Sequence, residues 1–482
     1  MHDKTGAALS TLVPYWGGGR DGGEEARHAQ RLVSNAAIAV LHHAQAIGNH
    51  FDYRKAIPMV GLDVDDVYPD GRTALADDYT DLSYMVSQYG PPESAVEAMR
   101  EGTTAANVGF YPPDLLQSLR EKVAVKKFGR KRAPGDWDVI GTEGAQGAIG
   151  YTFLTFLDPG DEVIITDPGY MHFASAAVAV GAVPIPVALT EENRFRLTVD
   201  DVEAAITPRT RMLVVCDPIN PFGTVQSRES LSEIANLCLQ RDIVIFNNTT
   251  HNGHQVDPQV EQVPMASMYD SQDMSHVVSA SGVSKSHGLA AIRVGFLAAS
   301  TPLVKAVASM RMELTKIHIN YVGQLGASAA LADAEYTRQS TDWIRGNGAL
   351  LADIVNAVPG VRQPIAPEYG FSTIVDVSDT GATAQEICVA LFKRKIATIP
   401  GDALGEVGAA DYLRINFSHR DRSRLARLGN ALPEAVSEAR AGAFAAPVAA
   451  FFRGQGTRRG QAIIERIEAR GPAPTAARQR VA

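Results

Sequence analysis

Three cysteines in 482 residues leave no basis for a disulfide framework. Cys216, Cys238 and Cys388 are odd in number and show neither a CxxC pair nor metal-ligand spacing. That usage fits reduced, packed thiols in a cytoplasmic protein. No run of about 18 apolar residues occurs, so no transmembrane helix and no membrane partner are expected. The opening MHDKTGAALSTLVPYWGGGRDGG has no apolar core of the signal-peptide kind, so no secretory leader is expected. A basic excess is also lacking. With 45 Lys+Arg against 54 Asp+Glu the formal net charge is -9, which argues against a nucleic-acid partner. What is present is ordinary for a globular chain, 45% hydrophobic and 21% charged, and long enough for more than one domain.

The chain divides by rhythm. Residues 1–93 read as an N-terminal extension, with a glycine cluster, a helical stretch over 31–48 and an aspartate-rich irregular segment over 50–80. Residues 94–335 alternate short β-type runs with helical pieces. DEVIITD (161–167), RMLVVCD (211–217), IVIFNN (243–248) and HVVSASG (276–282) are such runs, and SLSEIANLCLQR (230–241) is a helical piece. Alternation of this kind predicts an α/β fold with a parallel sheet covered by helices. Residues 336–440 read as a smaller α+β unit: a long helix, FSTIVDV, a helix, ATIPG and YLRINFS. Residues 441–482 hold seven arginines against two glutamates, and predict a helix near 461–470 followed by a loose basic tail.

One absence is local. Residues 243–254 read IVIFNNTTHNGH, a buried-strand pattern that ends in neutral polar groups with no acid. Elsewhere the chemistry is concentrated. VSASGVSKSHGLAAIRVGF (278–296) carries Lys285 off a strand end into a Ser/Gly-rich turn, with Arg293 eight residues on. A partly desolvated lysine loses its proton more readily, as an imine-forming lysine needs. Arg293 offers a fixed charge to a phosphate. GTEGAQGAIG (141–150) is a glycine turn entering a helix, whose N–H groups suit a phosphate. TDPGYMHF (166–173) places Tyr170 past a strand end, where it can stack on a flat ring. DPINPFG (217–223) holds Asn220 between prolines, and YLRINFS (412–418) puts Arg414 within a strand, suited to a carboxylate.

These pieces, in this order, resemble the fold type I pyridoxal-phosphate enzymes of the class I/II aminotransferase family. The resemblance runs over about residues 82–435 and includes FYPPDLLQSLREKVA (110–124), GAQ (144–146), PGDEV (159–163), DPGY (167–170), NPFG (220–223), SK…R (284–293) and YLRINFS. It implies a large domain with a mostly parallel sheet of the seven-stranded type, and a smaller α+β domain built from both chain ends. It implies pyridoxal 5'-phosphate as cofactor, joined to Lys285, which also shuttles the proton. Gly144, Ala145 and Gln146 would meet the phosphate, with Ser284 and Arg293 beside them. Tyr170 would stack on the ring, Asn220 would bond its hydroxyl, and Arg414 would grip the substrate carboxylate. Tyr111 would cross to a neighbouring subunit's phosphate, which implies a homodimer with shared sites.

The departures bear on the reaction. The family's Asp-x-x-Tyr at the end of the strand before the lysine strand is matched here by Asn248 and His251. Gly282 stands where a serine is usual, and LSYMVSQYGPPE (82–93) lacks a glycine usual near the entry. An amide carries no charge, so it favours a protonated ring nitrogen far less than a carboxylate does. A weaker electron sink favours side-chain elimination, replacement or carbon–carbon bond formation, S-adenosylmethionine being one candidate substrate as for the family's cyclopropane-forming members. That is the first reading. Ordinary amino transfer to a 2-oxo acid is the second, and a non-catalytic descendant that binds cofactor is the third. His172 and His287 flank the expected site, and structural roles are the simpler reading for both.

Overall fold

A computed structural model of the chain describes residues 50–69, 74–130, 136–316, 318–405 and 410–470, with Ser34, Ala37, Ala39, Val40 and His43. Apart from those five, the helix expected over 31–48 lies outside the described residues, as do the tail at 471–482 and His42. The aspartate-rich segment is not merely irregular. Asp52 caps the short helix α1 (Tyr53–Ala56) by accepting from the N–H groups of Arg54 and Lys55. Asp63 and Asp66 form a capping box on the next helical turn. The aspartates therefore serve as N-caps, which satisfy otherwise unpaired backbone donors. The segment then enters β1 (Thr80–Asp81).

The large lobe is built on a seven-stranded sheet. Its members are β2 (Trp137–Glu143), β3 (Glu162–Asp167), β4 (Val183–Ala188), β5 (Thr210–Cys216), β6 (Val244–Asn248), β7 (Val277–Gly282) and β8 (Val294–Ser300), in the order β2-β8-β7-β6-β5-β3-β4. β7, β6, β5, β3 and β4 run parallel, and β8 alone is antiparallel to its neighbours β7 and β2. The apolar β-branched runs of β3, β5 and β6 are buried on both faces, as the central strands of a helix-covered sheet must be. Helix α2 (Gly144–Phe156) packs on one face and α3 (Arg228–Gln240) on the other, each with its own apolar core.

The small lobe joins both ends of the described chain. Helix α4 (Thr301–Thr315) leaves the sheet, and the long α5 (Ala334–Asn356) leads to β9 (Ser372–Asp376). After α6 (Ala384–Lys393) come β10 (Ile396–Ala397), β11 (Ile399–Pro400) and β12 (Tyr412–Asn416). β11, β12 and β9 form an antiparallel sheet, while β10 pairs in parallel with β1. One core therefore buries Phe51, Tyr53 and Leu82 from the N-terminal side with Phe392, Leu413 and Leu428 from the C-terminal side. Helix α7 (Arg422–Arg440) covers it. Beyond it lie two helices rather than the single one expected, α8 (Ala445–Gln455) and α9 (Arg458–Ala469). Pro447 sits in the first turn of α8, where proline is tolerated, and Gly456 ends it at φ 63.

Phe246 on β6 is fully buried, with its ring edge-on to Phe153 at 6.0 Å and to Phe173 at 6.2 Å. Phe246→Ala is expected to cost about 3–5 kcal/mol. Urea unfolding checks it, and a loss below about 1 kcal/mol would mean that the site relaxes around the deletion.

Candidate active site

The carboxyl ends of the parallel strands open onto a cavity of about 390 Å³ that the small lobe closes from the other side. Ligands of open α/β sheets bind at this edge. Ala145, Gln146, Tyr170, Asn220, Asn248, His251, Ser284, Lys285, Arg293 and Arg414 all line it. Gly144 lies directly under Arg293 at the start of α2. Tyr111 is not brought to the cavity of its own chain and is 82% exposed, next to Phe110 at 83%.

The anion-binding end rests on a close approach that tolerates no side chain. Gly144 has φ +70, and a Cβ there would lie 2.5 Å from Arg293 Nη2. A Cβ on Gly295 would lie 2.2 Å from the Gly144 carbonyl carbon. Arg293 itself adopts φ 55, a conformation uncommon for a non-glycine residue and typical of functional sites. Its guanidinium donates to the carbonyls of Ala290 at 2.9 Å and Glu143 at 3.2 Å. Those bonds hold it over the N-terminus of α2, where N–H groups and the helix dipole favour an anion.

Lys285 lies just past β7 and donates to the Met85 carbonyl. Burial, with Arg414 and Arg293 adding repulsion, brings its ammonium down to about 8. Arg414 on β12 donates to the Ser83 carbonyl at 2.8 Å, and its Nε is buried without a protein partner. Burial lowers its pKa to about 10. Segment 83–85 reaches the cavity although it lacks the expected glycine, because Asn416 donates to the carbonyls of Tyr84 at 2.6 Å and Val86 at 2.9 Å.

The two asparagines of β6 part company. Asn247 is turned away from the cavity: its amide nitrogen donates to the Val215 carbonyl at 3.3 Å and its oxygen accepts from Ser279 Oγ at 3.3 Å. Asn248 faces the cavity. Its Oδ1 accepts from the Thr250 N–H at 3.0 Å and from the Thr250 hydroxyl. A backbone N–H can only donate, so the amide orientation is determined and Nδ2 is the group left for a ligand. His251 lines the same wall, and burial, with Lys285 and Arg414 nearby, lowers its pKa to about 3, so the ring is neutral at physiological pH. Tyr170 holds Gln146 Oε1 at 3.3 Å and packs against the His172 ring at 5.0 Å.

Of the flanking histidines, His172 lines the cavity and His287 does not. His287 bonds Ser286 Oγ at 2.8 Å and stacks on Tyr336 at 5.7 Å. Several cavity residues escaped sequence reasoning: Cys216, Tyr53, Arg54, Met85, Ile399 and Leu404. Only Asp52 before Tyr53 offered a signal, as a cap; the rest arrive by tertiary packing.

Pyridoxal phosphate fits these residues. The Gly144–Gly295–Arg293 cradle admits an anion where a Cβ would block it. Among the described residues Asn220 Oδ1 and Arg414 Nε are buried polar atoms without partners on the cavity wall, matching a ring hydroxyl and a substrate carboxylate. No Asp or Glu is among the described residues that line the cavity, which leaves Lys285, Arg293 and Arg414 for ligand anions.

Comparison with known proteins agrees. The family model for aminotransferase class I and II matches residues 77–432. An aromatic-amino-acid aminotransferase of Thermococcus litoralis is 30% identical over 68% of this chain and 82% of its own. An aspartate aminotransferase of Pyrococcus abyssi is 28% identical over the same shares, 68% and 82%. An aromatic aminotransferase structure from Pyrococcus horikoshii has a TM-score of 0.67 at 24% identity, covering 75% of this chain and 97% of that one. The chain belongs to the class I and II aminotransferase family. It is a pyridoxal-phosphate enzyme of aminotransferase type. No described helix is long and apolar enough to cross a membrane.

Because neutral Lys285 accumulates as pH rises through about 8, covalent capture of pyridoxal phosphate by the apo-protein should be half-maximal there. Borohydride trapping followed by mass measurement reads it. A midpoint near the ordinary lysine value would show that burial does not tune this group.

Proposed function

We propose that this enzyme is an amino-acid aminotransferase, moving the α-amino group of an amino acid to a 2-oxo acid, and that it works as a cytoplasmic homodimer. One observation carries the reading: Lys285 stands in a single cavity between a phosphate-type cradle at Arg293 and a carboxylate-type arginine, Arg414. The relatives' names support transfer rather than elimination, so the order set by the sequence reading is reversed. When bound, pyridoxal phosphate supplies the aldehyde that captures the amine and the ring that withdraws electrons from Cα.

The chain's own residues then divide the work. Arg293, Ser284 and the N–H groups of Gly144, Ala145 and Gln146 bind the phosphate. Tyr170 stacks on the ring and Asn220 bonds its hydroxyl. Arg414 orients the substrate by its α-carboxylate. Lys285 Nζ, with a pKa near its working pH, takes the Cα proton and returns it. His251, held neutral, stands where the family places a tyrosine and offers a hydrogen bond without charge. Tyr111 and Phe110 form an exposed aromatic pair suited to burial against a second subunit, where Tyr111 meets the partner's phosphate. Three buried thiols support a reducing compartment.

A second reading is favoured by Asn248. Its Oδ1 is taken by Thr250, so its Nδ2 would donate to an unprotonated ring nitrogen, which would weaken the electron sink and let a side-chain leaving group, including that of S-adenosylmethionine, compete. Incubation with amino acids and 2-oxo acids tests both. Formation of a new 2-oxo acid from the donor is expected; ammonia or a released thioether instead would establish the second reading. Asn248→Asp should raise transfer at least tenfold, measured as steady-state turnover. No change would make the amide incidental.

A further inference from the structure

The family match stops short of both ends of the described chain, and those ends meet at the cavity mouth. Phe51 has no exposed surface; its ring lies edge-on to Phe451 of α8 at 5.5 Å and meets Phe452 at 6.2 Å. Arg459 at the start of α9 donates to His50 Nδ1 at 2.6 Å and to the Asp402 carbonyl. The buried Asp402 carboxylate accepts from the Phe51 N–H at 3.0 Å and from Gln385 Nε2 at 2.9 Å. Two residues on, Leu404 lines the cavity, and its carbonyl accepts from the Gly169 N–H at 2.9 Å. The α8–α9 pair thus clamps residues 50–51 against the loop that edges the site.

The chain leaving this clamp is Asp52-Tyr53-Arg54, and Tyr53 and Arg54 both line the cavity. Tyr53 is fixed by Tyr68, whose hydroxyl donates to its own at 2.8 Å. Asp52 accepts from Arg54 Nε at 2.9 Å and from Nη2, which sets the guanidinium plane. Among the described residues Nη1 has no protein partner, and the side chain is 66% exposed. Arg293 and Arg414 are engaged by phosphate and α-carboxylate in the proposed function, on which this inference rests. Arg54 then remains as a further cation facing a cavity without described acids.

We propose that the α8–α9 clamp and residues 50–54 form one specificity element, in which Arg54 receives an anionic group at the far end of the substrate. A planar guanidinium held by one carboxylate keeps an open edge for a second. Cationic substrate side chains are disfavoured in the same field.

Binding of succinate and of its half-amide succinamate to the cofactor-loaded enzyme, followed by the change in cofactor absorbance, tests this without turnover. The dianion should bind at least tenfold more tightly. Arg54→Gln should bring the two within about twofold, and Arg459→Met should weaken the preference while cofactor absorbance and Tm stay near wild type. In turnover, Arg54→Gln should raise KM for glutamate severalfold more than KM for glutamine. A preference that survives Arg54→Gln, or its absence in the wild type, overturns the proposal. Since binding is read directly, that outcome is distinct from a failure of amino transfer.

Discussion

Concentrated positive charge in a shielded cavity is the constraint on which this structure turns. Lys285, Arg293 and Arg414 face one space, and no described lining residue is acidic. Lys285 and Arg414 are held largely out of water, which is costly for a cation unless paired, while Arg293 stands at the exposed edge. The fold holds them by backbone carbonyls instead: Met85 for Lys285, Ser83 for Arg414, Ala290 and Glu143 for Arg293. Carbonyl dipoles orient a cation without neutralising it, so its charge remains available to a phosphate or carboxylate. Burial first, and the neighbouring cations second, lower the pKa of Lys285 and keep His251 neutral. One electrostatic arrangement therefore sets ligand charge, nucleophile state and the role open to the histidine.

Much of this was legible in the chain because it is local. Strand runs such as EVIITD and VIFNN carry their burial in their composition, and a glycine turn that opens a helix is visible without a fold. The choice of Asn248 over Asn247 comes from matching the family's Asp-x-x-Tyr, and alternation adds only that the two point to opposite faces. The cradle under Arg293 was only half visible: GAQ pointed to it, but the need for Gly295 emerges when β8 lies against the start of α2. The rim was not legible. Leu404 reaches the cavity beside Gly169, and Tyr53 and Arg54 follow from the anchoring of Phe51 by Asp402, contacts hundreds of positions apart that no periodicity encodes. The helix α8 was hidden by a proline and a glycine that read as loop signals, and became a helix because its aromatic face packs on Phe51.

The departure at Asn248 separates architecture from electronics. The strand sits within the family match, and the pair of bonds from Thr250 fixes which end of the amide faces the cavity. In the proposed function a single atom, nitrogen for oxygen, would set how strongly the ring nitrogen is driven toward its cation. The reaction outcome can thus shift with no change in the way cofactor and substrate are held.

The clamp at the mouth also has a consequence for assembly. The floor of the site is contributed by residues 137–300, whose pairings β5–β6, β6–β7 and β7–β8 join neighbouring segments while β2–β8 closes the span. The rim depends on a contact between His50 and Arg459, 409 positions apart. Loop-closure entropy grows only slowly with length, but a contact so distant in sequence forms late. During synthesis the floor can form while the ribosome still holds the last helices, so the molecule acquires the means to hold its cofactor before it acquires the means to choose its substrate.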